Sequence, residues 1–269
     1  MTVVPWFDGY ALDLDGTVYL GDALLPGAAD TVDGLRRRGA RIVFATNNPL
    51  ETAAQYAAKL SRLGIPAEPS DVVTAVDALA RYLHCHHAGR TLLLIAEDVV
   101  AQRMAEEGFV VTTAADQTEV VVVSFDRRFD YPKLHTAYRA VRHHGAAIVA
   151  TNPDPYCPTP DGGLPDCAAM LAALEACTGA RAEAVVGKPS RHMAATLLER
   201  LAADPSATAV VGDRLATDVA MGQQIGATGI LVLTGATTAR DVELSHITAD
   251  HVLAGIGQLL SSTDERIPT

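Results

Sequence analysis

A chain of 269 residues with 49% hydrophobic content is long enough for one large or two ordinary domains with buried cores. Its 21 basic and 32 acidic residues give a formal net charge of −11, which opposes binding to nucleic acid or to an anionic membrane surface. Four cysteines without C-x-x-C spacing cannot staple a fold of this size, no apolar run reaches the length of a membrane span, and Met1–Asp8 lacks the features of a signal peptide, so a cytoplasmic protein with free thiols is expected.

In chain order, the first strand is expected over Trp6–Leu12, running directly into Asp13-Leu14-Asp15-Gly16-Thr17. Side chains alternate along an extended chain, so Asp13 and Asp15 leave the strand end on one face. Two carboxylates held so close suit a hard cation such as Mg²⁺, although the same residues would serve as a plain acidic turn. A turn-rich stretch leads to a helix from Ala28 to Arg38, stopped by Gly39. The buried-strand pattern Arg41–Ala45 ends in Thr46-Asn47-Asn48-Pro49, and a helix from Glu51 to Leu63 follows. Strand, helix and strand with short loops make a parallel βαβ unit, whose ligands sit beyond the carboxyl ends of the strands.

After Val72-Val73-Thr74 the pattern restarts, with strands at Leu92–Ile95, Val120–Val123 and Ala147–Ala150 and helices at Val99–Glu107 and Tyr131–His144. This second α/β system is large enough to be its own domain. A loop is expected over Thr151–Pro165, then a helix over Cys167–Cys177 and a strand over Ala184–Val186 that leads into Gly187-Lys188-Pro189. After a helix from Arg191 to Ala202, the strand Thr208–Val211 ends in Gly212-Asp213, with Asp218 shortly beyond. Strands at Gly229–Leu233 and His251–Leu253 and helices at Val219–Ile225 and Ile256–Leu260 complete the chain.

Singly, each strand-end group has an ordinary explanation: a turn, a helix cap or a solvated lysine. Together and in this order, Asp13-Leu14-Asp15-Gly16-Thr17, Thr46, Lys188 and Gly212-Asp213 with Asp218 resemble the four motifs of the haloacid dehalogenase superfamily. Thr46-Asn47-Asn48-Pro49, Asp126-Arg127-Arg128-Phe129-Asp130-Tyr131, Thr151-Asn152-Pro153-Asp154 and Val186-Gly187-Lys188-Pro189 look like its NagD-like, class IIA branch, which includes p-nitrophenyl, phosphoglycolate, pyridoxal and sugar phosphatases. The resemblance covers essentially the whole chain and implies an α/β fold. Its Rossmann-like core with a parallel sheet falls at residues 1–75 and 184–269, interrupted by an α/β C2-type cap at 76–183.

The resemblance implies a Mg²⁺-dependent phosphatase of small phosphomonoesters that works through an aspartyl phosphate. Asp13 would be the nucleophile, and Asp15 would protonate the leaving alkoxide and then deprotonate the attacking water. Thr46 and Asn47 would hydrogen-bond the phosphoryl oxygens, with Asn48 lining the same loop and Lys188 supplying counter-charge. The metal would be held by Asp13, Asp213 and the main-chain carbonyl of Asp15, with Asp218 supporting its water or Lys188. The implied partner is a small phosphorylated metabolite, with neither nucleic acid nor membrane, and a homodimer through the cap is possible in this branch.

Two departures fall in the cap. Cys157 stands where related pyridoxal-type phosphatases carry a substrate-reaching histidine, and Leu164-Pro165-Asp166-Cys167-Ala168 replaces a Pro-Gly run followed by small residues. Both argue against pyridoxal phosphate and place Cys157 among the candidate substrate contacts.

Other groups have plainer explanations. In His84-Cys85-His86-His87 adjacent helical residues point in different directions, so a solvated helix end is expected rather than a metal site. His143-His144 before Gly145 reads as a helix C-terminus, Trp6 and Phe7 as a brace for the first strand, and Cys167 and Cys177 as packing residues. The competing function is a non-catalytic, metabolite-binding or regulatory descendant of the superfamily. Such proteins usually lose the nucleophile, the lysine or a metal aspartate, and all are present here.

Overall fold

The structure is a computed structural model that describes residues 4–159 and 162–261. The chain forms two compact units. The first takes the described parts of Met1–Thr46, Ala53–Val73 and Met193–Thr269, and the second takes those of Asn47–Thr52 and Thr74–His192.

The first strand, β1 (Gly9–Asp13), is buried along its whole length and is followed by a two-stranded ribbon, β2 (Tyr19–Leu20) and β3 (Ala23–Leu24). Helix α1 (Ala28–Arg37), β4 (Arg41–Thr46), α2 (Ala53–Arg62) and β5 (Val72–Thr74) complete this stretch. Trp6 and Phe7 each pack edge-on against Tyr10, with ring centroids 6.1 and 5.9 Å away, and so brace β1 as expected.

Thr74 then caps α3 (Ala75–His86) in a reciprocal pair with Asp77: its hydroxyl accepts from the Asp77 N–H, and the Asp77 carboxylate accepts from the Thr74 N–H. The second unit continues with β6 (Leu92–Ile95), α4 (Asp98–Glu106), β7 (Val120–Val123), α5 (Tyr131–His144) and β8 (Ala147–Ala150). It closes with a hairpin of β9 (Tyr156–Thr159) and β10 (Gly162–Pro165), then α6 (Cys167–Thr178) and β11 (Ala184–Val185).

Past α7 (Arg191–Leu201), the chain returns to the first unit as β12 (Thr208–Gly212), a π-helical turn at Leu215–Val219 and α8 (Ala220–Gln224). It ends with β13 (Thr228–Val232), α9 (Ala239–Leu244), β14 (His251–Leu253) and α10 (Gln258–Ser261).

The large sheet of the first unit runs β14-β13-β12-β1-β4-β5, with parallel pairing from β14 through β4. Its core joins Tyr10, Leu12, Phe44, Val211 and Ile230 to helix residues Val32, Leu35 and Leu60. The sheet of the second unit runs β11-β8-β7-β6, also parallel, with a core that includes Val121, Val123, Ile148, Ala140 and Leu174. Strands buried on both faces explain the near-continuous apolar runs in the sequence.

Several local readings differ from the structure. Tyr156–Thr159 and Gly162–Pro165, expected as loop, form an antiparallel pair. Pro158 and Pro165 favour a loop reading, but a two-stranded ribbon has open edges where a missing N–H is tolerated. Ala184–Val185, which the sequence reading placed at the head of the second core segment, pairs with β8 in the second unit's sheet. The helix α9 lies in a stretch given no element, and its signal is the Thr238–Asp241 capping pair.

Cys167 is fully buried, and that burial pushes its thiol up to about 11, so it is an inert packing residue as expected. Cys177 is exposed and does not pack. The histidine run at His84–His87 closes α3 as expected. His84 pairs with Glu107 at 2.9 Å and His87 with Glu183, while the His86 ring lies 4.5 Å from Tyr82. His143 and His144 occupy the last turn of α5 before Gly145. No helix among the described residues is long and apolar enough to cross a membrane.

Candidate active site

Parallel pairing brings the strand ends of the first unit into line. Leu12 lies opposite both Phe44 and Val211, and Asp13 opposite Ala45. The residues one step beyond, Thr46 and Asp213, therefore leave the sheet at the same edge as Asp13. This is the edge where open parallel sheets place ligands.

Asp13, Asp213 and Asp218 are all buried, and each offers a carboxylate oxygen within 4.8 Å of the others. They are the one such group of three or more histidine, cysteine, aspartate or glutamate side chains among the described residues. Buried carboxylates at this spacing strongly favour a bound cation, and an all-oxygen donor set suits a hard divalent ion. The aspartates therefore fit Mg²⁺.

The local chain is built to hold them. Asp218 sits on the π-helical turn, where its Oδ2 accepts from the Arg214 N–H at 3.2 Å and from the Thr217 hydroxyl at 3.3 Å. The Asp213 Oδ2 accepts from the Ala236 N–H at 2.5 Å. A Cβ on Gly235 would stand 2.0 Å from that same Oδ2, so only glycine lets the backbone close on the carboxylate. The Thr234 hydroxyl donates to the Gly16 carbonyl at 2.6 Å and ties this loop to the turn after β1. In that turn Asp15 is half-buried, two residues beyond Asp13.

The second unit contains a buried polar assembly of its own residues. Lys188 and Asn47 are 2% and 8% exposed. The Lys188 N–H donates to Asn47 Oδ1 at 2.8 Å, and Asn47 Nδ2 donates to the Lys188 carbonyl at 3.1 Å. The same Nδ2 donates to Asp154 Oδ2 at 2.8 Å, and Asn152 Nδ2 donates to the Asn47 carbonyl at 3.1 Å. A Cβ on Gly187 would lie 2.5 Å from both Asn47 Oδ1 and the Thr151 carbonyl, so glycine is again required. Asn48 is half-buried, with Oδ1 accepting from the Leu50 N–H at 3.0 Å and Nδ2 reaching Cys157 Sγ at 3.8 Å.

The predicted residues thus fall into two groups, each within its own unit. Asp13, Asp213 and Asp218 cluster in the first, with Asp15 and Thr46 beside them in the chain or sheet. Asn47 with Lys188, and Asn48 with Cys157, pair in the second. The sequence reading gave Asn152 and Asp154 no role. Their signal was two polar residues in the loop that follows the buried strand β8, at the ligand-binding end of a parallel sheet.

Comparison with known proteins fits this geometry. The haloacid dehalogenase-like hydrolase family matches residues 10–110, and an HAD-hydrolase-like family matches residues 185–259. The chain is 32% identical to the sugar-phosphatase AraL of Bacillus subtilis over 96% of its own length and 94% of that protein. The chain belongs to the haloacid dehalogenase-like hydrolases, in their NagD-like phosphatase branch. Among solved structures, this hydrolase resembles the 4-nitrophenylphosphatase of Thermotoga maritima, with a TM-score of 0.89, 33% identity and coverage of 95% and 97% of the two chains. It also resembles a glycerol phosphate phosphatase of Mycobacterium tuberculosis in complex with magnesium, with a TM-score of 0.86, 32% identity and coverage of 94% and 76%.

Proposed function

We propose that this NagD-like phosphatase hydrolyses small phosphomonoesters, a sugar phosphate or a similar metabolite, in a Mg²⁺-dependent reaction through an aspartyl phosphate on Asp13. The observation that carries the reading is the buried triad of Asp13, Asp213 and Asp218 at the carboxyl edge of the parallel sheet. Support also comes from relatives named for sugar phosphates, p-nitrophenyl phosphate and glycerol phosphate.

Asp13 and Asp213, with the main-chain carbonyl of Asp15, would hold the ion, and Asp218 would steady its water ligands. When bound, Mg²⁺ neutralises phosphate charge and keeps the phosphoryl group in line with the attacking carboxylate. A carboxylate oxygen of Asp13 attacks phosphorus, and the bond to the ester oxygen breaks. Asp15 gives its proton to that departing alkoxide and later takes one from the water that releases phosphate from Asp13. Asp15 is suited to this exchange because it is half-buried, two residues beyond Asp13 at the end of β1 and outside the buried triad.

The Thr46 hydroxyl and the Asn47 backbone N–H donate hydrogen bonds to the phosphoryl oxygens, while the Asn47 side chain holds the Lys188 backbone. Lys188 supplies a positive charge that offsets the repulsion of those oxygens from Asp13. The inserted unit acts as a cap that selects the substrate, with Cys157 and Asn48 among its contacts. A homodimer through the cap belongs to the same proposal, and light scattering in solution tests it.

The test is a phosphate-release screen over sugar phosphates, phosphoglycolate, glycerol phosphate, nucleotides, pyridoxal phosphate and p-nitrophenyl phosphate, with and without Mg²⁺. Mg²⁺-dependent release from one or more small esters is expected, with pyridoxal phosphate a poor substrate. No release from folded, metal-loaded protein across the panel would overturn the reading in favour of a non-catalytic, metabolite-binding role.

A further inference from the structure

The Asn47 amide is held on every side by the second unit. It has two N–H donors and one carbonyl acceptor. The donors serve Asp154 Oδ2 and the Lys188 carbonyl, and the acceptor serves the Lys188 N–H. Turning this amide over would set its oxygen against a carboxylate and a carbonyl while its NH₂ faced an N–H. The Asp154 carboxylate, which only accepts when ionised, therefore fixes which way the amide points. Asn152 completes the hold, because its Nδ2 donates to the Asn47 carbonyl while its Oδ1 accepts from the Asp154 N–H at 2.9 Å.

These groups are buried: Asn152 is 0% exposed and Asp154 8%. Inside a protein such a network is rigid when every member is satisfied, and costly when one is left without a partner. Two of its members, Asn47 and Lys188, come from segments far apart in sequence. The loop after β8 touches Asn47, and Asn47 in turn grips the backbone of Lys188.

We propose that Asp154 and Asn152 are positioning residues for catalysis: they orient Asn47 and, through its amide, set the backbone from which the Lys188 ammonium is presented to the phosphoryl group. The proposal rests on the phosphatase reading above. It assigns the Asn152–Asp154 loop a role in the chemical step that is separate from substrate choice. Asp154→Leu keeps a side chain branched at Cγ, removes the acceptor and frees the amide to turn. It lowers kcat for p-nitrophenyl phosphate about tenfold to a hundredfold, as expected when a charged group loses its register, while KM changes by no more than about threefold. Asp154→Asn keeps an acceptor oxygen of the same reach and loses less.

A double-mutant cycle separates this role from a general structural one. In an Asn47→Ala background, Asp154→Leu should lower kcat by no more than about twofold, because the group it acts through is gone. Should Asp154→Leu fail to fold by circular dichroism, Asn152→Ala goes through the same cycle with the same expectation. An active wild type whose single variants keep kcat within about twofold overturns the proposal, as does a full, additive loss in the Asn47→Ala background. A wild type without turnover overturns the phosphatase reading instead, and this inference falls with it.

Discussion

The side-chain amide of Asn47 exchanges two hydrogen bonds with the backbone of Lys188, at 2.8 and 3.1 Å, across 141 positions of sequence. That pairing links a proposed phosphate-binding residue in the first segment of the second unit to the proposed counter-charge near the end of its last segment. Truncation at Asn47 therefore acts twice, loosening the segment that carries Lys188 and leaving the buried Asp154 carboxylate without the amide that donates to it. Asn47→Ala should lower kcat/KM about a hundredfold or more, and steady-state kinetics on p-nitrophenyl phosphate check this. A loss within about threefold would contradict it.

Asp13→Asn keeps the shape of the carboxylate but removes the charge of the proposed nucleophile. Turnover should fall to background while circular dichroism and the melting temperature show a folded protein. Substantial residual activity would place the nucleophile elsewhere.

Asp15→Asn removes the proposed proton donor and should matter most where the leaving group needs one. Sugar phosphates, with their poor alkoxide leaving groups, should lose far more activity than p-nitrophenyl phosphate. Equal losses for the two would contradict an acid role for Asp15.

How much of this was legible in the sequence differs between the two units. β1, β4 and β12 are recognisable because buried parallel strands are continuous apolar runs, and the groups at their ends stand out as polar residues where the runs stop. Asp13, Thr46 and Asp213 carried that signal directly. Asn152 and Asp154 also follow a buried strand, but their role lies in hydrogen bonds to Asn47, over 100 positions away, and no local pattern encodes such a contact. The hairpin around Cys157 was hidden by its prolines, and α9 by its shortness.

Cys157 lies beside Asn48, with its thiol 3.8 Å from the amide nitrogen. Cys157→His adds bulk and a polar ring at a contact assigned to substrate selection. The ranking of substrates should change, including a gain for pyridoxal phosphate, while p-nitrophenyl phosphate turnover changes little. An unchanged ranking across the panel would remove Cys157 from the specificity set.

The second unit also carries a pH-dependent ion pair. The Arg127 guanidinium holds the Glu97 carboxyl down at about 2, through paired hydrogen bonds of 2.9 and 3.1 Å. A folded-state value below the unfolded one means that the stabilisation is complete above the ordinary value of 4.5 and is lost as pH falls toward about 2. Glu97→Gln should therefore lower the melting temperature at neutral pH and flatten its decline across that acid window. Parallel curves for the two proteins would contradict this assignment.

In the proposed reaction Asp13 carries the phosphoryl group between substrate and water. Rapid acid quench during turnover of p-nitrophenyl phosphate with Mg²⁺, followed by peptide mass mapping, tests it most directly. The prediction is an acid-stable, base-labile phosphate on the peptide that contains Asp13, absent from Asp13→Asn. Turnover with phosphate on a different residue, or with no phosphorylated peptide under conditions where its formation outpaces hydrolysis, would contradict it.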